Sequence, residues 1–295
     1  MTVLSVIALD ESDVYVIKPG FAENVTKLTT FRADRNQIEV IDNNVFNTLP
    51  LQRIRLNSNR IFYIADGAFH RMNLKYLRLN DNKLTRINST WFNGTAIKRL
   101  SLSHNQIRSL HTNTFSGLTD MEMLFLEFNK IHYMDYDTFT TQCQLMKLYL
   151  AGNSLTNLEF QIANRLGFVD VSFNLISAIL LGNETTLSSV SIHPNPWACK
   201  CLKRFLNESI ALNIKIRESD FLRISNDRGA PSCSNVETEC DIDTIRANAL
   251  QREYFKSNDY NNLGILEYRE RDFPNMFFKI RYRSYHQRLC MSMLQ

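Results

Sequence analysis

An α/β solenoid is the fold class this chain predicts: about nine stacked coils, a parallel sheet along the concave side, and a cysteine-rich cap at the C-terminal end. Two observations carry the expectation. Asparagine recurs at Asn36, Asn59, Asn82, Asn105, Asn129, Asn153, Asn174 and Asn195, at spacings of 23, 23, 23, 24, 24, 21 and 21. Each asparagine sits in one frame, with apolar residues eight, five and three positions before it and two after it. Leu74-x-x-Leu77-x-Leu79-x-x-Asn82-x-Leu84 and Leu145-x-x-Leu148-x-Leu150-x-x-Asn153-x-Leu155 are the clearest copies. Self-similarity at a fixed period marks a repeat architecture, in which no unit buries its apolar face alone and neighbours must stack.

The frame is the leucine-rich repeat signature, so a horseshoe is expected. The x-Leu-x-Leu-x stretch of each coil is a short strand. Strand alternation sends Leu77 and Leu79 inward and leaves Lys75, Tyr76, Arg78 and Asn80 polar or displayed. The asparagine follows where the backbone turns. A buried amide there can satisfy backbone groups of adjacent coils that are costly to leave unpaired. Apolar residues five positions on and phenylalanines ten positions on give a second ladder: Ile41/Phe46, Ile64/Phe69, Ile87/Phe92, Leu110/Phe115 and Met134/Phe139. These rings are expected to stack behind the sheet as core.

Leu4-x-x-Ile7-x-Leu9-x-x-Ser12-x-Val14 adds a first coil, with Ser12 in the asparagine place. Solenoids need capped ends, and neither a cysteine nor a basic, apolar leader precedes this coil. The start is therefore expected to lie inside a longer natural chain. The last two coils are short and lose the phenylalanine, with Ala163 ten positions after Asn153, so a tighter convex side and a change of curvature are expected near residues 155–195. The domain plan is 1–198 solenoid, 199–240 cap and 241–295 a short helix (241–257) with an aromatic and basic tail.

The ninth frame runs into His193-Pro-Asn-Pro-Trp-Ala-Cys-Lys-Cys-Leu, with Cys233 and Cys240 following. Leu202, Phe205, Leu206 and Ile210 recur at helical spacing and predict an amphipathic helix closing the stack. Cys-x-Cys with Cys-x6-Cys departs from the usual ligand spacing for zinc, and four cysteines allow three disulfide pairings. This stretch resembles the C-terminal flanking cap of extracellular leucine-rich repeat proteins. The resemblance implies Cys199–Cys233 and Cys201–Cys240 bonds, and with them an oxidising compartment. Cys143, beside Phe139, is expected to be a buried free thiol. Cys290 could link a partner through a disulfide.

Asn-x-Ser/Thr sequons occur at Asn24, Asn88, Asn93, Asn183 and Asn207, which makes them candidate glycosylation sites off the strand positions. Net charge is +4 with a pI near 8.7, and no nucleic-acid recognition motif accompanies it. No apolar run is long enough to span a membrane.

The register also separates displayed residues from buried ones. Arg32, Arg55 and Arg78 stand on adjacent strands, about 4.8 Å apart, where like charges repel. Arg53, Tyr76 and Arg99 flank them, and Asp34 and Asp81 are expected to offset part of the charge. Further along, Phe125, Phe128, Tyr149, Phe168 and Phe173 gather on the same face, as interface anchors do. These eleven residues are the candidate ligand-binding set. Nucleophile elbows, phosphate loops and paired metal-binding histidines are absent from the sequence, and neither a cofactor nor a metal is expected. Over residues 4–240 the chain resembles animal extracellular leucine-rich repeat proteins, among them secreted insect leucine-rich immune proteins and Toll-like ectodomains. The resemblance implies non-catalytic recognition of a protein ligand or co-receptor, outside the cell or, if the chain is part of a receptor, at its surface.

Overall fold

The computed structural model describes residues 4–160, 165–181, 185–217, 233, 234 and 240. The chain divides into two compact units, residues 1–238 and 239–295. The expected helix at 241–257, the tail and Cys290 lie outside the described residues.

Every coil contributes one three-residue strand to a single parallel sheet. In chain order these are β1 (Val6–Ala8), β2 (Thr30–Arg32), β3 (Arg53–Arg55), β4 (Tyr76–Arg78), β5 (Arg99–Ser101), β6 (Met123–Phe125), β7 (Lys147–Tyr149), β8 (Phe168–Asp170) and β9 (Ser189–Ser191). β10 (Lys215–Ile216), from the cap, pairs with β9. Neighbours in the sheet follow sequence order. Pairing is in register, so Phe31, Ile54, Leu77, Leu100, Leu124 and Leu148 form one inward row that water does not reach.

The asparagine ladder holds the turns after the strands. Asn82 accepts the Ile61 N–H at 2.9 Å. Its amide donates to the carbonyls of Leu56 at 2.9 Å and Leu79 at 3.0 Å. Each amide thus closes its own coil and clamps the preceding one, and the pattern repeats at Asn59, Asn105, Asn129, Asn153 and Asn174. These donors and acceptors are buried and would otherwise be orphaned.

Behind the sheet the phenylalanines stack as expected. Phe46 and Phe69 lie 6.0 Å apart, Phe69 and Phe92 6.2 Å, and Phe115 and Phe139 5.6 Å, each pair nearly parallel. The convex side changes where the coils shorten. Two-residue strand pairs such as Val40–Ile41 with Tyr63–Ile64 give way to a four-residue pair, Asn157–Phe160 with Ala178–Leu181. Backbone pairing there takes the place of ring stacking.

The cap helix α1 spans Cys199–Ala211, and Phe205 stacks on Trp197 at 5.7 Å. Its inner face runs Cys201, Leu202, Phe205 and Ser209. Ile210, expected on that face, is 76% exposed. The turn from Phe205 brings residue 209 inward and rotates residue 210 away, and the Ser209 hydroxyl is satisfied by donating to the Phe205 carbonyl at 2.7 Å. Cys199 and Cys233 form a disulfide, and Cys201 and Cys240 are both buried and disulfide-bonded. Cys143 corrects an expectation: it is half-buried and disulfide-bonded, so it is not a free core thiol.

Candidate functional site

Two columns of outward side chains cross the sheet. Register places Arg32 beside Arg55 and Arg55 beside Arg78, and Tyr76 between Arg53 and Arg99. The first column is less cationic than expected. Arg32 pairs with Asp10, a residue not anticipated in this role. Arg55 pairs with Asp34 at 2.7 Å, and that carboxylate is buried. Asp81 makes no ion pair with the arginines among the described residues. The asparagine frame places it in a left-handed turn, φ 57°, where its carboxylate accepts from the Asn80 amide at 2.7 Å.

The remaining positive charge centres on the second column. Arg53 lies over one side of the Tyr76 ring, 5.1 Å from its centroid, and Arg99 is 5.5 Å from the same centroid. The aromatic quadrupole attracts each guanidinium and separates two charges that would otherwise repel. Arg53, Arg78 and Arg99 are exposed and make no ion pair among the described residues. With Ile54, Arg55 and Tyr76 they line an open depression of about 350 Å³.

On the next three coils, Phe125 and Tyr149 stack 4.7 Å apart with nearly parallel rings, and Phe168 tilts onto Tyr149 at 5.3 Å. All three are half-buried. Phe128 and Phe173 stand off this stack. They occupy the position before the ladder asparagine, both with positive φ and both at least half exposed. Phe128 stacks on His104 at 4.6 Å, and Phe173 makes no ring contact among the described residues. Glu127 borders the aromatic stack. Burial raises its carboxyl above the usual range, opposed by the Ser103 hydroxyl that donates to it. Burial, then Glu127 and Asp170, raises the Tyr149 hydroxyl. Asp10, His104 and Glu127, which the sequence reading does not single out, stand at the same two positions before the ladder residue as Asp34, Asp81, Phe128 and Phe173.

The candidate glycosylation sites separate by environment. Asn24, Asn93 and Asn207 are exposed. Asn88 is half-buried, and its amide donates to Asp66 at 2.8 Å. Asn183 lies outside the described residues.

The stacked coils, asparagine ladder and disulfide-bonded cap define a leucine-rich repeat solenoid. Residues 50–96 and 72–131 match the leucine-rich repeat family model. Among solved structures the chain is similar to Toll in the Toll–Spatzle complex of Drosophila development and innate immunity. Identity is 21%, with 80% of this chain and 38% of that one covered and a TM-score of 0.58. It is also similar to TLR13 in a complex with ssRNA13, at 22% identity, 63% and 28% coverage and a TM-score of 0.57. The chain therefore spans less than two-fifths of either, and at these identities the likeness is one of fold. No curated protein matches the chain. Among the described residues, no helix is long and apolar enough to cross a membrane.

Proposed function

We propose that this chain is a non-catalytic extracellular recognition module, acting in innate immunity, that binds a protein on its concave sheet. The Phe125–Tyr149–Phe168 run carries the reading. These rings are only half-buried in the free protein, on a face whose inward residues already complete the core. Large rings at an interface centre are the usual energetic anchors. The disulfide-bonded cysteines support an oxidising compartment, and glycans at Asn24, Asn93 and Asn207 would leave the sheet open. The fold likeness to Toll and TLR13 supports a second reading, in which these coils serve as the ectodomain of a cell-surface receptor or adhesion protein.

The test uses the secreted, glycosylated protein as bait in extracellular fluid, with partners identified by mass spectrometry. Phe125→Ala with Tyr149→Ala is expected to release the partner while the thermal midpoint holds. Unchanged retention refutes the anchor role. Recovery of the native protein from medium or from surface-biotinylated cells separates the two readings.

A further inference from the structure

The concave face holds a second feature that the aromatic anchors do not use. Arg53, Tyr76 and Arg99 stack across β3, β4 and β5, and Arg78 stands two residues along β4 from Tyr76. The neighbouring carboxylate Asp34 is committed to Arg55. Three guanidiniums thus face an open depression without counter-ions among the described residues. A guanidinium presents donors in a planar fork that matches a carboxylate in two parallel hydrogen bonds. Stacking on Tyr76 fixes two of these forks before any ligand arrives, which lowers the ordering cost of binding.

The surroundings limit which anion fits. The cationic group covers three strands. Beyond it the same groove turns aromatic, with the carboxylates Glu127 and Asp170 and the cation Arg217 acting on Tyr149 and Lys147 exposed on β7, so its charge is mixed and no longer uniformly positive. A uniform polyanion following the groove would meet those carboxylates. A ligand with a short acidic segment next to apolar side chains would not. From Arg78 on β4 to Phe125 on β6 is two strand spacings, or about 10 Å, which an extended peptide covers in roughly three residues. From Tyr76 the offset along the strand lengthens this to about four.

We propose that Arg53, Tyr76, Arg78 and Arg99 form a site for the carboxylates of an acidic peptide segment, whose apolar side chain three or four residues away lies on the Phe125–Tyr149 stack. The assignment rests on the concave-face reading and gives it a ligand chemistry and a spacing.

A random peptide library of about twelve residues, displayed on phage and selected on the full chain, tests it. Enriched peptides are expected to carry adjacent acidic residues three or four positions from an aromatic or aliphatic one. Synthetic copies are expected to lose roughly ten- to a hundredfold in affinity on Arg53→Gln with Arg99→Gln, the scale of one charge-assisted hydrogen bond. Arg53→Lys, which keeps the charge and loses the planar fork, is expected to lose part of that. Binding is expected to weaken from low salt to about 0.15 M, as exposed ion pairs do. Peptides without an acidic motif that still fail on Phe125→Ala with Tyr149→Ala overturn this inference and leave the concave-face reading standing. Peptides indifferent to both variant sets overturn both. Retention of heparin or a single-stranded oligonucleotide without peptide enrichment assigns the arginines to a polyanion and overturns the proposal.

Discussion

Replacing Asn82 with alanine removes one rung of the buried ladder and reports how much each rung holds. The amide is 7% exposed. It satisfies the Ile61 N–H and reaches the carbonyls of Leu56 and Leu79. All three of those residues are fully buried, so water cannot replace the amide without opening the coil. An orphaned buried N–H costs about 1–3 kcal/mol, and each lost intramolecular bond about 1 kcal/mol more. Asn82→Ala is therefore expected to destabilise by about 3–5 kcal/mol, a large share of the 5–15 kcal/mol typical of a whole domain. In a solenoid this loss acts on the coil itself and on its interface with the preceding one. Urea unfolding followed by circular dichroism measures the total, and hydrogen exchange locates it, with faster exchange at Ile61. Asn82→Asp is a sharper control. Its carboxylate can still accept from Ile61 but turns negative charge on two carbonyls, so it is expected to be no better than alanine. A loss below about 1 kcal/mol, or unchanged exchange at Ile61, refutes the clamp.

Glu127→Gln tests the half-buried carboxyl beside the aromatic stack. Its folded pKa is held above the ordinary 4.5, chiefly by burial, so ionisation at neutral pH weakens the folded state. Below 4.5 folded and unfolded forms are both protonated and the penalty vanishes. The glutamine variant is expected to be more stable than the parent at pH 7, with the gap in thermal midpoint closing as pH falls through 4.5; a gap constant with pH is the contrary result. Serine at Cys199 and Cys233 opens a loop of sequence separation 34 and is expected to cost about 4 kcal/mol, read as a lower urea midpoint at unchanged concave binding. Loss of binding without loss of stability would show that the bond serves the binding face.

Repeat proteins expose their register in the sequence because each coil obeys the same burial rule. The strands, the asparagine bonds and the phenylalanine stack were legible for that reason, whereas the Cys199–Cys233 bond followed only from the resemblance of the cap, because four cysteines allow three pairings. What escaped depended on which partner each displayed side chain reaches, and position in the frame does not decide that. Asp34 was expected to offset the arginine column and pairs with Arg55, but Arg32 looked like a free charge until the turn brought Asp10 within reach. Asp81 looked like a counter-ion until the turn gave it to Asn80. The Tyr76 stack needed two long arginine side chains to fold onto one ring, which rotamer choice decides and column position does not. Ile210 shows the same limit in the cap, where the serine one residue earlier took the inner place because its own backbone could satisfy it.

The position before the ladder asparagine gives a functional argument from strain. Arg35, Ser58, Asp81, His104, Phe128, Gly152 and Phe173 all hold φ between 53° and 68° there, so the turn itself demands the left-handed region. Glycine is the relaxed choice, and a bulky side chain in this region is an outlier that costs of order 1 kcal/mol or more. Two coils nevertheless carry phenylalanine, 50% and 57% exposed, where burial cannot offset the strain. Phe128 is also coupled to its neighbour. A Cβ on Gly152 would meet the Phe128 ring at 2.5 Å, so the ring occupies space that glycine leaves open. Phe128→Gly relieves the strain and loosens the unfolded chain, two effects of opposite sign and similar size, so stability is expected to move by less than about 1 kcal/mol. If the exposed ring serves recognition, the same variant weakens partner capture by the secreted protein. A variant with unchanged capture and a marked loss of stability would make Phe128 a packing residue and remove it from the binding face.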